Sequence, residues 1–205
     1  MIKKISKKTD KISLKWNERY IIEDSKKLKI PYYLLYFLIY IEDKRFYYHF
    51  GVDILAIFRA FIMNKKNKKL QGGSTLVQQL YDIKAEKKGN KRERTLKRKI
   101  RQAYFALIYT HKKTRRKIII EYLENVYLGK SYYGINLASK YYFKKEISDL
   151  NKIECFILME RIATPNKINL KRTENILERE AIKSILTLSE INELRELYSR
   201  GEIYG

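Results

Sequence analysis

The sequence is short of the residues that make covalent or metal-bound scaffolds, with one Cys, two His and two Pro in 205 residues. Cys155 cannot form an internal disulfide, and with only His49 and His111 beside it no zinc spacing exists, which excludes disulfide frameworks and zinc ribbons. No stretch reaches the ~20 apolar residues of a membrane span. Residues 1–29 are broken by Lys and Asp every few positions and hold neither a signal-peptide core nor an anchor, so the chain does not read as an integral membrane protein. Acid is also scarce: 23 Asp+Glu stand against 45 Lys+Arg, a net charge of +22. That surplus calls for a polyanionic surface, whether nucleic acid, an anionic membrane or a phosphate-bearing substrate.

What is present is enough to fold. An apolar fraction of 45% is globular and excludes a disordered polycation, and the length suits one domain, or one domain with a small appendage. The pattern is helix after helix. Pro31 opens an almost unbroken apolar run, Tyr32 to Ile41, that predicts a buried helix. A second apolar stretch, Val52 to Met63, carries Arg59 as its one charged residue after Asp53. Lysine-rich loops are expected over Asn64–Lys69 and Lys84–Lys99, flanking a short helix opened by Gly72-Gly73-Ser74-Thr75. Helical spacing follows over Ile100–Tyr109, Lys117–Leu128 with Gly129 closing it, Ile135–Phe143 and Ser148–Ile162, stopped by Pro165. Thr187-Leu188-Ser189-Glu190 reads as a capping box for a last helix ending near Gly201. With no alternating strand and no repeat, the fold class is all-α.

Three segments carry chemistry. In Glu42-Asp43-Lys44-Arg45-Phe46-Tyr47-Tyr48-His49-Phe50-Gly51-Val52-Asp53, continuation of the Pro31 helix would place Glu42, Phe46 and His49 on one face, an acid, an aromatic plate and an imidazole. The alternative is a solvated helix end where Glu42 and Asp43 pair with Lys44 or Arg45. In Gln71-Gly72-Gly73-Ser74-Thr75-Leu76-Val77-Gln78-Gln79, a glycine-led helix start offers backbone N–H groups to a phosphate, with Thr75 and Gln79 lining one side; the alternative is an ordinary N-cap. It is not a Walker loop. Arg98 and Lys99 at a helix start oppose the dipole, which a bound anion would explain and a solvated basic loop would also allow.

Taken in order, these motifs, with Tyr122-Leu123 and Tyr127-Leu128-Gly129, resemble the peptidoglycan glycosyltransferases, the murein polymerase module of bifunctional penicillin-binding proteins and of monofunctional transglycosylases. The likeness runs on through Tyr133-Gly134, Ala138, Tyr142-Phe143, Leu150, Glu154 and Ala163-Thr164-Pro165, roughly Pro31 to Asn169. The chain is too short for a transpeptidase as well, so it resembles the monofunctional form. The domain reading is then a basic segment at 1–29, a glycosyltransferase domain over 30–170, and C-terminal helices at 171–205 completing it.

The resemblance implies a lysozyme-like helical lobe with a smaller membrane-facing jaw, located peripherally on the outer face of the bacterial cytoplasmic membrane. It implies polymerisation of lipid II into β-1,4 glycan with release of undecaprenyl pyrophosphate. Glu42 matches the general base, Asp43, Phe46 and His49 the acceptor side, Ser74, Thr75, Gln78 and Gln79 the second motif, and Arg98 and Lys99 the cations that meet the pyrophosphate. Val52 to Met63, followed by Lys65, Lys66, Lys68 and Lys69, reads as the lipid-contacting strip. The implied partners are lipid II and its lipid-linked glycan, an anionic membrane surface, and a transpeptidase or other cell-wall protein. Nucleic acid is not among them, because no helix-turn-helix, RRM or zinc signature accompanies the charge. No cofactor is required; Mg²⁺ or Mn²⁺ at the pyrophosphate is the metal for which the resemblance leaves room.

The chain departs from the family pattern in three places. Gln102 stands where the third motif has Glu, Asp82 stands where a Lys follows the Gln-Gln pair, and the N-terminal anchor is missing. Asp82 is expected to supply part of the acid function that Gln102 lacks, so Glu42, Gln102 and Asp82 form the expected catalytic set. The rival reading is a weakened homologue that binds lipid-linked glycan without polymerising it.

Overall fold

The computed structural model describes residues 17–67, 72–87 and 95–203, with the side chains of Phe61 and residues 63–67 left out. Among the described residues every regular element is helical, and one isolated antiparallel bridge joins Tyr127 to Tyr133. The chain divides into two compact units. The first takes residues up to Lys44 and from Val126 onward, and the second is Arg45–Asn125.

The first unit is built on α2 (Tyr32–Glu42), which follows a helix over residues 17–28, α1. Every residue from Leu34 to Ile41 is buried, as an all-round apolar run demands. Pro31 sits one position earlier than expected, as N-cap, its missing N–H costing nothing there. The principal partner of α2 is α8 (Lys152–Arg161), where Phe37 and Phe156 meet edge to face with centroids 5.3 Å apart. Each such ring contributes roughly 1.5–3 kcal/mol by burial, so Phe37→Ala is the change that would open this core. α7 (Ile135–Phe143) matches its expected bounds. α8 starts later than the pattern suggested, because Asn151 and Glu154 form a reciprocal capping box there, after a 3-10 turn at Ile147–Asp149. Two short helices, α9 (Leu170–Leu177) and α10 (Glu180–Lys183), lead to α11 (Leu188–Arg200). The Thr187–Glu190 capping box and the left-handed Gly201 close α11 as its sequence predicts.

The motif Tyr127-Leu128-Gly129 is not a helix end. Its helix stops at Asn125, and residues 126–134 fold back so that Gly134 N–H meets the Val126 carbonyl at 2.8 Å. Gly129 has φ +94, and a Cβ there would stand 2.2 Å from the Pro165 carbonyl oxygen. The Tyr142 hydroxyl donates to the Leu128 carbonyl at 2.9 Å. Gly129, Tyr142 and the fold-back of residues 126–134 are therefore part of the packing of the first unit.

In the second unit α3 (Ile54–Asn67), α4 (Leu76–Lys87), α5 (Leu96–Lys112) and α6 (Arg115–Asn125) follow one another. The expected lysine-rich loops are shorter than the sequence suggested. α3 runs on to Asn67, α4 reaches Lys87 and α5 begins at Leu96, because Lys, Arg and Gln are good helix formers and polarity alone ends nothing. Gly89 and Asn90 lie outside the described residues. Leu76, Val77, Leu80, Ala106, Ile118, Ile119 and Tyr122 form the interior of this unit.

Candidate active site

On the first unit, Glu42 is the last residue of α2 and lies beside two arginines. Arg172, on α9, reaches Glu42 Oε1 at 3.2 Å with Nη2 and Glu160 Oε1 at 3.0 Å with Nη1. Glu160 is buried in α8 and also accepts from the Tyr198 hydroxyl at 3.0 Å. Burial together with the Glu160 carboxylate pushes that phenol well above its ordinary range. Arg179 Nη1 donates to the carbonyls of Tyr40 and Ile41, at 3.0 and 3.3 Å, placing a cation at the negative end of the α2 dipole. Burial lowers the Arg179 pKa, as does the charge of Arg172, and Glu42 opposes the shift. Glu42 is thus an acceptor fixed by a guanidinium that it shares with Glu160. Asp43, the next residue, is buried, and its N–H caps α2 through the Ile39 carbonyl.

The shared face expected of Glu42, Phe46 and His49 does not form. α2 ends at Glu42, Asp43 leaves helical geometry with φ −149 and ψ 72, and a turn follows. Phe46 and His49 belong to the second unit, and neither is a plate presented to a sugar. Phe46 is fully buried with the Arg115 guanidinium 5.2 Å from its ring centroid. His49 is buried, its Nδ1 accepts the Gly51 N–H at 3.1 Å, and its carbonyl accepts from Arg115. Gly51 is required by geometry: at φ +89 a Cβ would stand 2.1 Å from the Ala106 carbonyl oxygen of α5. Asp53 caps α3 through the Ala56 N–H at 2.7 Å and pairs with Arg45. Burial pushes its carboxyl up, but the hydrogen bonds and charge of Arg45 with the Ala56 amide outweigh this and lower it overall.

The second motif departs from its expected role in a similar way. Thr75 N–H donates to Gln78 Oε1 at 3.0 Å and Gln78 N–H to Thr75 Oγ1 at 3.2 Å, a reciprocal cap on α4. The Thr75 hydroxyl donates to the Gly51 carbonyl at 2.6 Å. Thr75 and Gln78 are buried and build the loop rather than line a surface, and Gln79 accepts from the Tyr122 hydroxyl at 2.7 Å. Ser74 keeps an outward hydroxyl, which Lys99 Nζ reaches at 2.9 Å. Thr75 and Gln79 therefore do not form the polar lining their i,i+4 spacing suggested.

The cations lie where α5 begins. Thr95 caps α5 by accepting the Arg98 N–H at 3.2 Å, which puts Arg98 and Lys99 in its first turn. Arg98 Nη1 meets Asp82 Oδ2 at 2.8 Å. One turn along, the buried Gln102 donates Nε2 to the Gln78 carbonyl at 3.3 Å. A glutamate at 102 would set a second acceptor against that carbonyl, so the amide suits the place it occupies. Lys84 is held away from this seam by Glu121 and the Tyr109 hydroxyl. Among the described residues no group of three or more His, Cys, Asp or Glu is placed to hold a metal ion.

Sequence reasoning passed over Arg172, Glu160, Arg179 and Tyr198. The available signal was Glu160-Arg161 inside the otherwise apolar run Cys155–Ile162, since a buried acid needs a partner.

The profile of the family described as Transglycosylase matches residues 7–188. Penicillin-binding protein 1A of Aquifex aeolicus is 38% identical over 142 residues, 69% of this chain and 19% of that protein. Penicillin-binding protein 1A of Clostridium botulinum strain Hall is 31% identical over 208 residues, 92% of this chain and 24% of its own length. Penicillin-binding protein 1B of Vibrio cholerae is 38% identical over 149 residues, covering 70% and 19%. The chain thus spans about a fifth to a quarter of the length of these curated relatives. With the family profile covering most of its residues, the chain belongs to the transglycosylase family.

Proposed function

We propose that this chain polymerises lipid II. In this reading the 4-hydroxyl of the GlcNAc of lipid II attacks the anomeric carbon of the lipid-linked glycan, and a β-1,4 bond forms as undecaprenyl pyrophosphate leaves. Glycosyl transfer in peptidoglycan synthesis is the coarse statement that family membership carries; the substrate, the leaving group and the residue roles are our reading. Glu42 takes the hydroxyl proton. Arg98 and Lys99 meet the charge that develops on the departing pyrophosphate, with α5 presenting its positive end beside them.

The observation that carries this reading is the setting of Glu42: an acid at a helix end, held by a guanidinium it shares with the buried Glu160 and flanked by Arg179. A surface acid needs no such support. A positioned general base contributes about 10²–10⁴ in rate, and orientation is what Arg172 provides. Phe46 and His49 act in this reading through the loop they anchor, and Asp43 through the end of α2.

Membrane contact belongs to the same proposal. Ile54, Leu55, Ile57 and Phe58 of α3 are exposed, with Ile54 at 75%. Such a row favours an interface over water. The lysines expected to assist it lie at residues 65–69, where no side chain is described. Among the described residues no helix is long and apolar enough to cross a membrane. A transpeptidase partner remains a proposal from the resemblance alone.

The second reading, binding without polymerisation, is favoured by Asp82 and Gln102 on the donor side. Purified protein incubated with labelled lipid II in detergent, followed by separation of glycan chains on a gel, decides between them. Polymer supports the enzyme, and lipid II binding with no polymer supports the second reading.

A further inference from the structure

We propose that Asp82, on α4, is the residue that positions Arg98 of α5 for a diphosphate. The inference rests on the reading that Arg98 meets a diphosphate.

The observations lie along the seam of α4 and α5. Gln78 and Asp82 are one turn apart on α4, and Arg98 and Gln102 one turn apart on α5. The contacts pair 82 with 98 and 78 with 102, at 2.8 and 3.3 Å. The Asp82 and Arg98 side chains are 9% and 15% exposed, so water competes little for the pair. Two polar atoms on this seam are buried without a hydrogen-bond partner, Arg98 Nε and Gln102 Oε1. Gln102 has therefore turned its donor to the α4 backbone, and its acceptor makes no bond to Arg98. The contact that fixes the guanidinium plane comes from Asp82.

A lysine at 82, as in the family pattern, would face Arg98 with like charge and could not hold it this way. Relative to a lysine at 82 with a glutamate at 102, the pair Asp82 with Gln102 makes the seam more negative by one charge, two units lost at 82 and one regained at 102. Asp82 therefore acts on an anion in two opposing senses. It weakens the general attraction of Arg98, and it orients the remaining N–H groups, which an arginine uses as a planar fork. The first effect touches every anion alike. The second shows as preference for a diphosphate over a single phosphate, and that ratio is the diagnostic quantity.

The experiment is calorimetric titration of the full chain with inorganic pyrophosphate and with inorganic phosphate at fixed ionic strength. The parent should prefer pyrophosphate, and Arg98→Ala should lose the preference. Asp82→Asn should cut the ratio about tenfold, the scale of one charge-assisted hydrogen bond. Asp82→Glu, which keeps the charge, should hold it within about threefold of the parent. A ratio in Asp82→Asn equal to the parent's overturns the inference while leaving Arg98 in place. Arg98→Ala with the parent's ratio overturns the donor-side reading, and this inference with it. Should Asp82→Asn melt below the assay temperature, Asp82→Glu decides: a ratio held within about threefold of the parent's supports Asp82, and a ratio lost overturns the proposal.

Discussion

The two units solve opposite electrostatic problems with the same chemistry. In the first, a carboxylate is held by cations: Arg172 joins Glu42 to Glu160, with Arg179 at the end of α2. In the second, a cation is held by a carboxylate, Asp82 against Arg98, while Lys99 rests on Ser74. Their surfaces differ as well. The central helix of the first unit is apolar and sealed, whereas the second exposes apolar rows on α3 and along Leu96, Ile100, Tyr104 and Leu107 of α5. The lesson is that a functional charge is defined by what holds it, and the holder need not lie in the motif that contains the charge.

The largest expected effect tests the carboxylate half. Glu42→Gln keeps the size and most of the hydrogen bonding of the side chain but cannot take a proton, so glycan polymerisation should fall about 10²–10⁴ with the circular dichroism spectrum unchanged. Next is Arg172→Met, which leaves Glu160 buried without its guanidinium. Chemical denaturation should show about 2–4 kcal/mol of lost stability, toward the low end because Arg172 is a quarter exposed. Polymerisation should fall with it, and Arg172→Lys should recover stability better than rate, since an ammonium cannot span two carboxylates as a fork.

A smaller effect probes the surface contrast. Phe58→Asp or Leu55→Asp on α3 should weaken binding to anionic liposomes about tenfold by sedimentation, and binding should fall with salt. The same change at exposed Leu188 of the first unit should leave binding alone. The smallest effects concern protons. The carboxyl of Asp53 is lowered in the folded protein, so its contribution is present at neutral pH and is lost as pH falls below the ordinary aspartate value, about 4. Acid titration of stability should therefore be flatter in Asp53→Asn. Burial pushes the Cys155 thiol up to about 12, so alkylation at neutral pH should wait for the first unit to open.

Much of the fold is legible in the sequence because its signals are local. The apolar run of α2, the Thr187–Glu190 box and Gly201 need only neighbouring residues, and each marks an element of the structure. Helix ends in lysine-rich stretches are not legible in this way, since α3 and α4 run on through residues that neither break nor bury. The site divides similarly. Arg98 and Lys99 could be placed at a helix start from local pattern alone, whereas the break after Glu42 hides that Phe46 and His49 leave its helix. Arg172 is 130 residues from Glu42 and sits on a helix of 8 residues, so no periodicity connects them. Thr75 shows the reverse error: read as lining one side with Gln79, it turns inward and caps α4 with Gln78.

The measurement closest to the central claim compares the parent, Glu42→Gln and Arg98→Ala on lipid II, following glycan polymer and undecaprenyl pyrophosphate together. The account predicts that the parent forms both products and that each variant loses both in parallel, one lacking the base and the other the cation that meets the leaving group. A parent that makes neither product, or a Glu42→Gln variant that polymerises at the parent's rate, would contradict it.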